Sequence, residues 1–286
     1  MSRTWFITGT SSGFGRELTE QLLARGDRVA ATARRLDTLD DLAARYGDRL
    51  WRARLDVTDT AALREVVDRA FAELGRIDVV VSNAGYGLFG APEELTDEQI
   101  DRQLATNLTA SIQLARAATP HLRRQGGGRY IQIASVGGQI AFPAMSLYHA
   151  TKWGIEGFWE SSAPELAPFG IRVTLVEPGM ARTNFGVGAA VLGAPLPEYA
   201  DGPSGQLRRV FSGELPPLPA PGDPAKIAAA IIASADQAEP PFRLTLGSDA
   251  YALATAALRD RLEALEAGRT LAHSTDADDA AQALTR

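Results

Sequence analysis

The chain has 286 residues, of which 45% are hydrophobic and 22% are charged, and its formal net charge is −6. This length and composition are typical of one large α/β domain, and the scattered positive charges form no basic stripe of the kind that binds nucleic acid. The chain has no cysteine and its three histidines are far apart, so neither a disulfide framework nor a zinc site is expected. Without a signal peptide or a run of about 18 apolar residues, a soluble cytoplasmic protein is expected.

Short apolar runs alternate with longer amphipathic stretches along most of the chain. The runs predicted to be strands are residues 5–8, 29–32, 50–55, 79–81, 130–133, 173–176 and 242–246. Helix-length segments separate them, and Thr58 is a suitable N-cap for the helix after the third strand. Further helices are predicted over residues 225–235 and 250–267. Repeated β-then-α units predict a doubly wound parallel sheet of about seven strands with helices on both faces.

Two regions break this alternation. Residues 184–223 are rich in Gly and Pro but also carry apolar side chains, which favours a substrate lid over a disordered insertion. Residues 274–286 are mostly polar or small and predict a flexible tail. We therefore expect a single domain over residues 1–273. The apolar side chains of the insertion are Phe185, Val191, Leu192, Leu196, Tyr199, Val210 and Phe211.

A turn rich in Gly and Ser lies between the first predicted strand and the first helix. Glycines at such a junction let the backbone approach a pyrophosphate, whose charge is stabilised by the free N–H groups of the helix start. An ordinary strand-to-helix turn is the alternative, but the position at the first βα junction favours a nucleotide. The residues expected to contact the cofactor here are Gly9, Ser11, Ser12, Gly13, Phe14 and Gly15.

The end of the second predicted strand bears on the choice between NAD and NADP. Folds that bind NAD place an acidic residue there, where it binds the ribose 2′-OH. This chain instead has Ala33 followed by Arg34 and Arg35. An arginine can bind a 2′-phosphate by a charge-assisted hydrogen bond, so NADP(H) is the predicted cofactor. The alternative is that both arginines are solvated loop charges.

Lysine is rare in this chain, since 27 of its 29 basic residues are arginines. One of the two lysines, Lys152, follows Tyr148 by four residues, a spacing that places both side chains on one face of a helix. The ammonium would lower the pKa of the phenol and make Tyr148 usable for proton transfer near neutral pH. A solvated pair is the alternative for so short a motif. The other lysine, Lys226, is predicted to be a surface charge.

Together with several further short motifs, these features resemble the short-chain dehydrogenase/reductase family over residues 4–185, with similar segments continuing toward residue 268. Each motif is weak alone, but their shared order and spacing are specific. The resemblance implies a Rossmann-type fold and an oxidoreductase that acts on a ketone or a secondary alcohol. The matching residues are Thr8-Gly9-x-x-x-Gly13-x-Gly15, Asp56-Val57, Asn83-Ala84-Gly85, Asn107, Ser135, Tyr148-x-x-x-Lys152, Pro178-Gly179 and Thr183.

The resemblance also implies roles for four catalytic residues. Tyr148 would donate or accept the proton on the substrate oxygen, and Lys152 would bind the nicotinamide ribose. Ser135 would stabilise charge on the carbonyl oxygen. Asn107 would hold a water that connects Lys152 to solvent; the alternative is a polar residue that caps or interrupts a helix.

The motifs that follow the third, fourth and sixth predicted strands are implied to contact the cofactor. They comprise Asp56 and Val57 beside the adenine, Asn83, Ala84 and Gly85 in a supporting turn, and Pro178, Gly179 and Thr183 beside the nicotinamide carboxamide. His149 directly follows Tyr148 and points about 100° away from it on a helix, so it is expected to be structural.

The implied reaction is hydride transfer between nicotinamide and a carbonyl or carbinol carbon, with its direction left open. Phe89, Phe142 and Met145 near the expected site favour a bulky apolar substrate. The family resemblance also implies a homodimer or homotetramer formed through the helices that carry Asn107 and Tyr148.

Two other functions remain open at this point. One is an epimerase or dehydratase of the extended branch of the family, which differs in glycine spacing and in having a larger C-terminal domain. The other is a non-catalytic protein that senses NADP(H), in which catalytic residues would be lost. Here all four are present.

Overall fold

The computed structural model describes residues 2–183, 185 and 190–277, and the strands of its main sheet follow the predicted apolar runs. In chain order they are β1 (Thr4–Thr8), β2 (Arg28–Ala33), β3 (Leu50–Arg54), β4 (Val79–Ser82), β5 (Leu88–Phe89), β6 (Gly128–Ile133), β7 (Ile171–Pro178), β8 (Val191–Leu192) and β9 (Arg243–Leu246). Seven of these form a parallel sheet in the order β3-β2-β1-β4-β6-β7-β9. The predicted α/β class and strand number are confirmed.

The helices lie between the strands and after the last one. They are α1 (Gly13–Arg25), α2 (Asp40–Tyr46), α3 (Thr60–Leu74), α4 (Asp97–Leu104), α5 (Ala110–Arg124), α6 (Ser146–Leu166), α7 (Pro203–Ser212), α8 (Pro224–Asp236), α9 (Ser248–Ala267) and α10 (Arg269–His273). Among the described residues, none of them is both long enough and apolar enough to cross a membrane.

The N-cap predicted for α3 is wrong by one residue. Asp59, not Thr58, occupies the N-cap, and its carboxylate accepts a hydrogen bond from Ala62 N at 3.0 Å. The Thr58 hydroxyl donates instead to Asp56 Oδ1 at 2.8 Å. Both residue types are good caps, and the hydroxyl is taken by the strand-end acid that precedes it.

Helices cover both faces of the sheet. Successive side chains along a strand point in opposite directions, so each strand contributes to a buried cluster on either face. Trp5 and Ile7 belong to one buried cluster, which α1, α2 and α8 cover with side chains such as Leu22 and Ile231. Phe6 belongs to the cluster on the opposite face, which α3, α5 and α6 cover. Burial on both faces explains why the central strands β1 and β4 read as nearly continuous apolar runs.

The order of the strands reverses between β1 and β4. Strands β2 and β3 extend the sheet on one side of β1, whereas β4, β6, β7 and β9 extend it on the other. Loops that leave the carboxyl ends of strands at such a reversal run in opposite directions and open a crevice, where open α/β sheets bind their ligands. The loops after β1 and β4 face each other at this crevice.

The insertion predicted over residues 184–223 is folded where it is described. Its strand β8 pairs in parallel with β5, in the register Leu88↔Val191 and Phe89↔Leu192, and α7 follows. Asn184 and residues 186–189 lie outside the described residues, as do residues 278–286 of the predicted tail. Strands of two residues carry no periodic signal, so this pairing was not predicted.

Candidate active site

The glycine-rich turn after β1 is anchored to β2. Gly9 N and Thr10 N both donate to Thr32 O, at 3.0 and 3.1 Å. Gly9 has a φ of 71°, and a Cβ there would lie 2.9 Å from Ala84 Cα. A Cβ on Gly15 would lie 2.3 Å from Gly9 O. Glycine is therefore required at both positions by the close approach of two backbone segments.

The start of α1 presents free backbone donors to the crevice. Ser12 is the N-cap residue, but its side chain makes no capping hydrogen bond, and the first turn contains no acidic residue. The unpaired N–H groups and the helix dipole at such an end stabilise an anion. Gly13 lies opposite Thr183, whose Cβ would be 3.9 Å from a Cβ placed on that glycine. The predicted pyrophosphate turn and the predicted nicotinamide segment thus meet across the crevice.

Asn83 fastens the loop after β4 to the loop after β1. Its Nδ2 donates to Thr8 O and Gly9 O, each at 2.9 Å. In return Thr8 Oγ1 accepts hydrogen bonds from Asn83 N at 3.0 Å and Ala84 N at 3.2 Å. These contacts fix the geometry of the crevice floor between the two strands.

Asn107 lies in a π-helical segment, Ala105–Thr109, which interrupts the helix between α4 and α5. Its side chain is engaged by the backbone of Tyr86: Oδ1 accepts from Tyr86 N at 3.0 Å and Nδ2 donates to Tyr86 O at 2.8 Å. This side chain therefore braces the end of the Asn83–Gly85 turn, a contact that the sequence did not predict. The water-holding role stays a prediction.

Ser135, Tyr148 and Lys152 come together at the carboxyl edge of the sheet. Tyr148 and Lys152 lie one turn apart on α6 and are each only 7% exposed, with Lys152 Nζ 5.6 Å from the centre of the Tyr148 ring. Ser135 follows β6, and its Oγ accepts a hydrogen bond from Gly137 N at 3.0 Å. The predicted pair is thus buried, and the solvated alternative is wrong.

Burial dominates the acid–base properties of this pair. It raises the pKa of Tyr148 to about 12, and the adjacent Ser135 hydroxyl opposes the rise. It lowers the pKa of Lys152 to about 8, and Glu156 opposes that fall. Lys152 Nζ donates to Ile133 O at 3.0 Å. The predicted lowering of the Tyr148 pKa by Lys152 is not found here, because loss of water around the phenol outweighs neighbouring interactions.

His149 joins two points of the segment between β6 and α6, which also carries Ser135. Its Nε2 accepts a hydrogen bond from Phe142 N at 2.9 Å, so Nδ1 carries the proton and donates to Gly137 O at 2.9 Å. Burial lowers the pKa of His149, and its ring packs edge-on against Tyr148. The structural role predicted for His149 agrees with these contacts.

The ends of β2 and β3 carry the residues predicted to face the adenosine. Arg34 and Arg35 are exposed directly after β2, and Arg35 pairs with Asp37 at 3.2 Å. Asp56 follows β3. Partial burial acts to raise its pKa, but hydrogen bonds from Thr58 and the charges of Arg102 and Arg34 hold the pKa of Asp56 below its usual value. Val57 next to it is buried.

The segment after β7 packs tightly against the start of α9. Gly179 N donates to Leu246 O at 2.9 Å, and a Cβ on Gly179 would lie 2.3 Å from Asp249 Oδ2. The same carboxylate accepts from Met180 N at 2.7 Å. Asp249 was not predicted, because its one sequence signal is that of an acid in the first turn of a helix, which is common.

Aromatic side chains of the insertion reach the site. Phe185 packs edge-on against Tyr148 with ring centres 5.7 Å apart, and Phe211 contacts Phe89 at 5.2 Å. Phe142 is 42% exposed beside the same region, and Met145 immediately precedes α6. The apolar surroundings that were predicted for the substrate are therefore present.

A buried carboxylate holds the insertion in place. Glu94 is 3% exposed and accepts hydrogen bonds from Ser204 Oγ and from Leu196 N at 3.2 Å. It also pairs with Arg208 Nη2 at 3.1 Å. Glu94 was missed because its partners Ser204 and Arg208 lie more than a hundred residues further along the chain.

Comparison with known proteins agrees with this geometry. Residues 3–189 match the sequence model of the short chain dehydrogenases. The chain is 32% identical over 246 residues to the 3-ketodihydrosphingosine reductase of Bacteroides thetaiotaomicron, an alignment that covers 84% of this chain and 86% of that protein.

Solved structures are similar over nearly the whole chain. A short-chain dehydrogenase from Streptomyces avermitilis shares 42% identity with a TM-score of 0.87, covering 96% of this chain and 98% of that one. A short chain dehydrogenase from Burkholderia cenocepacia in complex with NADP shares 25% identity with a TM-score of 0.72, covering 93% and 96%. The protein belongs to the short-chain dehydrogenase family and is an oxidoreductase.

Proposed function

We propose that this oxidoreductase uses NADP(H) to interconvert a ketone and a secondary alcohol of a bulky apolar substrate. The observation that carries the proposal is the meeting of Ser135 with the buried Tyr148 and Lys152, beside the aromatic ring of Phe185 from the insertion. A proton-transfer group, a positive charge and an apolar wall are the elements that carbonyl reduction requires from the protein.

The crevice fits a nicotinamide dinucleotide. The start of α1 carries no acid, and Gly13 places no side chain in the crevice between α1 and Thr183. The groups that would hold it are Gly9, Ser11, Ser12, Gly13, Phe14 and Gly15 at the pyrophosphate, Asp56 and Val57 at the adenine, and Asn83, Ala84, Gly85, Tyr148, Lys152, Pro178, Gly179 and Thr183 toward the nicotinamide. When bound, the nicotinamide supplies or accepts a hydride.

The protonation states of the site suit reduction near neutral pH. A phenol whose pKa is about 12 carries its proton, so Tyr148 Oη can donate it to the oxygen of a substrate carbonyl. Ser135 Oγ can donate a hydrogen bond to the same oxygen as its charge develops. Lys152, with a pKa of about 8, is mostly charged and can stabilise the phenolate that remains. Oxidation of an alcohol needs the phenolate, so higher pH favours that direction.

The preference for NADP(H) rests on Arg34 and Arg35, with the Burkholderia cenocepacia relative bound to NADP as support. Replacing both by Ala is expected to lower the ratio of kcat/KM for NADPH to that for NADH by about 10- to 100-fold, since a hydrogen bond to a charged group contributes about 1.5–3 kcal/mol. The matched control is Arg45→Ala, an exposed arginine near the end of α2, which should leave the ratio unchanged. A wild-type preference for NADH would contradict the assignment.

Residues 184–223 would act as the substrate lid of a single domain over residues 1–273. The support is that Glu94 ties Ser204 and Arg208 of α7 to the loop after β5, while Phe211 rests on Phe89. Association into a homodimer or homotetramer and a flexible tail from residue 274 stay predictions.

The function is tested by following NADPH absorbance with a panel of steroid, aromatic and long-chain ketones. Long-chain ketones are included because one relative is a 3-ketodihydrosphingosine reductase. We expect stoichiometric NADPH oxidation with at least one bulky ketone. Tight NADPH binding without oxidation across the panel would favour the nucleotide-sensing alternative. Interconversion of stereoisomers without net NADPH consumption would favour an epimerase.

A further inference from the structure

A cluster of charges, of which the two carboxylates are buried, lies one helical turn beyond Lys152. Glu156 follows Lys152 by four residues on α6 and is 4% exposed, while Glu177 near the end of β7 is 2% exposed. Arg243 of β9 pairs with both carboxylates. The two carboxylates are buried and the Arg243 guanidinium is partly exposed. Burying two acids is costly unless each is paired, and an apolar cluster of similar volume is often at least as stable. Stability alone is therefore a poor explanation for this cluster.

The cluster spans the elements that carry the site. Arg243 Nη1 donates to Glu177 Oε1 at 2.6 Å and also contacts Glu156 Oε2. Thr245 Oγ1 donates to Glu177 Oε2 at 2.8 Å, and Gln139 Nε2, from the loop after Ser135, donates to Glu177 Oε1 at 3.2 Å. The helix with Tyr148 and Lys152, the loop after Ser135 and the strand that ends at Pro178 are thus joined through one set of charges.

Glu156 is the least satisfied member of the cluster. Within the part of the chain that the structure describes, its Oε1 is buried without a hydrogen-bond partner, and its Cγ would lie 2.6 Å from a Cβ on Gly138. Burial and the nearby Glu177 raise the pKa of Glu156 to about 7, while Arg243 and Lys152 oppose the rise. This carboxyl therefore changes charge in the same pH range in which the enzyme would work.

We propose that Glu156 is a positioning residue of the active site, which with Arg243 holds the Lys152 turn of α6 against the end of β7 and keeps the ammonium of Lys152 protonated. The inference rests on the proposed function, in which that ammonium binds cofactor and stabilises the Tyr148 phenolate. Glu156 acts through Lys152 and contacts no reacting atom.

The charges around Glu156 determine how its removal would change the protonation of Lys152. Glu156 and Glu160 lie on α6 itself, Glu177 faces the cluster from β7 and Arg243 from β9. Gln139 from the loop after β6 is neutral. Without the charge of Glu156, fewer carboxylates offset the charge of Arg243. The electrostatic potential at Lys152 therefore becomes more positive. A more positive surrounding favours loss of the proton from Lys152.

The test compares Glu156→Gln with the wild-type enzyme across pH. We assign the alkaline limb of the kcat/KM profile, the fall at high pH, to loss of the proton from Lys152. In the variant this limb is expected to lie about one pH unit lower, so that at pH values above the wild-type limb kcat/KM is about tenfold below that of the wild type. The two enzymes should converge well below pH 7, because Glu156 is then protonated in the wild type as well. The matched control is Glu160→Gln, which removes the 62% exposed partner of Arg243 and should leave the profile unchanged.

Two further measurements keep the test decisive if Glu156→Gln is unstable. Glu156→Asp retains the charge and should keep the limb at its wild-type position; equal shifts in Asp and Gln variants would overturn the inference. The pH profile of the NADPH dissociation constant, measured by fluorescence, should be displaced by the same amount. This measurement requires no turnover. Coincident binding and rate profiles for wild type, Glu156→Gln and Glu160→Gln would also overturn it. If no ketone is reduced, the proposed function fails, whereas the NADPH-binding profiles still decide the role of Glu156.

Discussion

Replacing Tyr148 by Phe is expected to lower kcat by about 10²- to 10⁴-fold, the usual contribution of a positioned general acid. The variant loses only Oη. Its ring stays buried between Phe185 and His149, so the fold and the crevice should be retained. The dissociation constant of NADPH is expected to stay within about threefold of the wild-type value, since the other cofactor-binding groups are unchanged and the main interaction lost belongs to the transition state. Steady-state rates with a ketone that the wild-type enzyme reduces give kcat, and a fluorescence titration gives the dissociation constant of NADPH.

The control for this substitution is Tyr46→Phe, the same change at the end of α2. Wild-type rates are expected there. Turnover by Tyr148→Phe close to that of the wild type would refute the role of the phenol, and loss of NADPH binding would point to a structural effect.

Replacing Lys152 by Arg is expected to lower kcat/KM by about 100-fold or more, even though the positive charge is kept. The ammonium is buried, and its Nζ lies 3.0 Å from Ile133 O. A guanidinium is wider and planar, so it cannot occupy this position without displacing the turn that carries Tyr148. It also stays protonated at every accessible pH, so the alkaline limb that we assign to Lys152 should disappear from the profile.

Lys226→Arg is the matched control, because Lys226 is the second of the two lysines and lies exposed on α8. The control should behave as wild type in rate, NADPH affinity and thermal stability. Comparable activity in Lys152→Arg and Lys226→Arg would show that a general positive charge suffices and would remove the argument for a compact ammonium.

Regular elements were predictable because their signal is local. Each buried strand of the main sheet reads as an apolar run, and the helices after residue 224 begin and end near their predicted bounds. The insertion was harder to predict, since β8 pairs with β5 across about a hundred residues with only two residues in each strand. Its anchor, Glu94, likewise has its partners Ser204 and Arg208 far along the chain.

The proximity of Tyr148 and Lys152 was predictable, whereas their electrostatic properties were not. The spacing of Tyr148 and Lys152 places them on one face of α6 in both the prediction and the structure. The predicted direction of the shift in the Tyr148 pKa was wrong, because the shift depends on how much water the folded chain removes from the phenol. No spacing in a sequence reports that quantity.

The amino-acid sequence by itself determined the parallel α/β architecture, the family and the placement of Tyr148 and Lys152 on one helix face, because apolar periodicity and ordered short motifs are properties of local sequence. Only the tertiary structure decided the burial of Tyr148 and Lys152, the bracing of the Asn83–Gly85 turn by Asn107 and the charged cluster of Glu156, Glu177 and Arg243. These features join strands and helices that are distant along the chain. Their energies depend on desolvation and close contact, which exist only after those elements have packed.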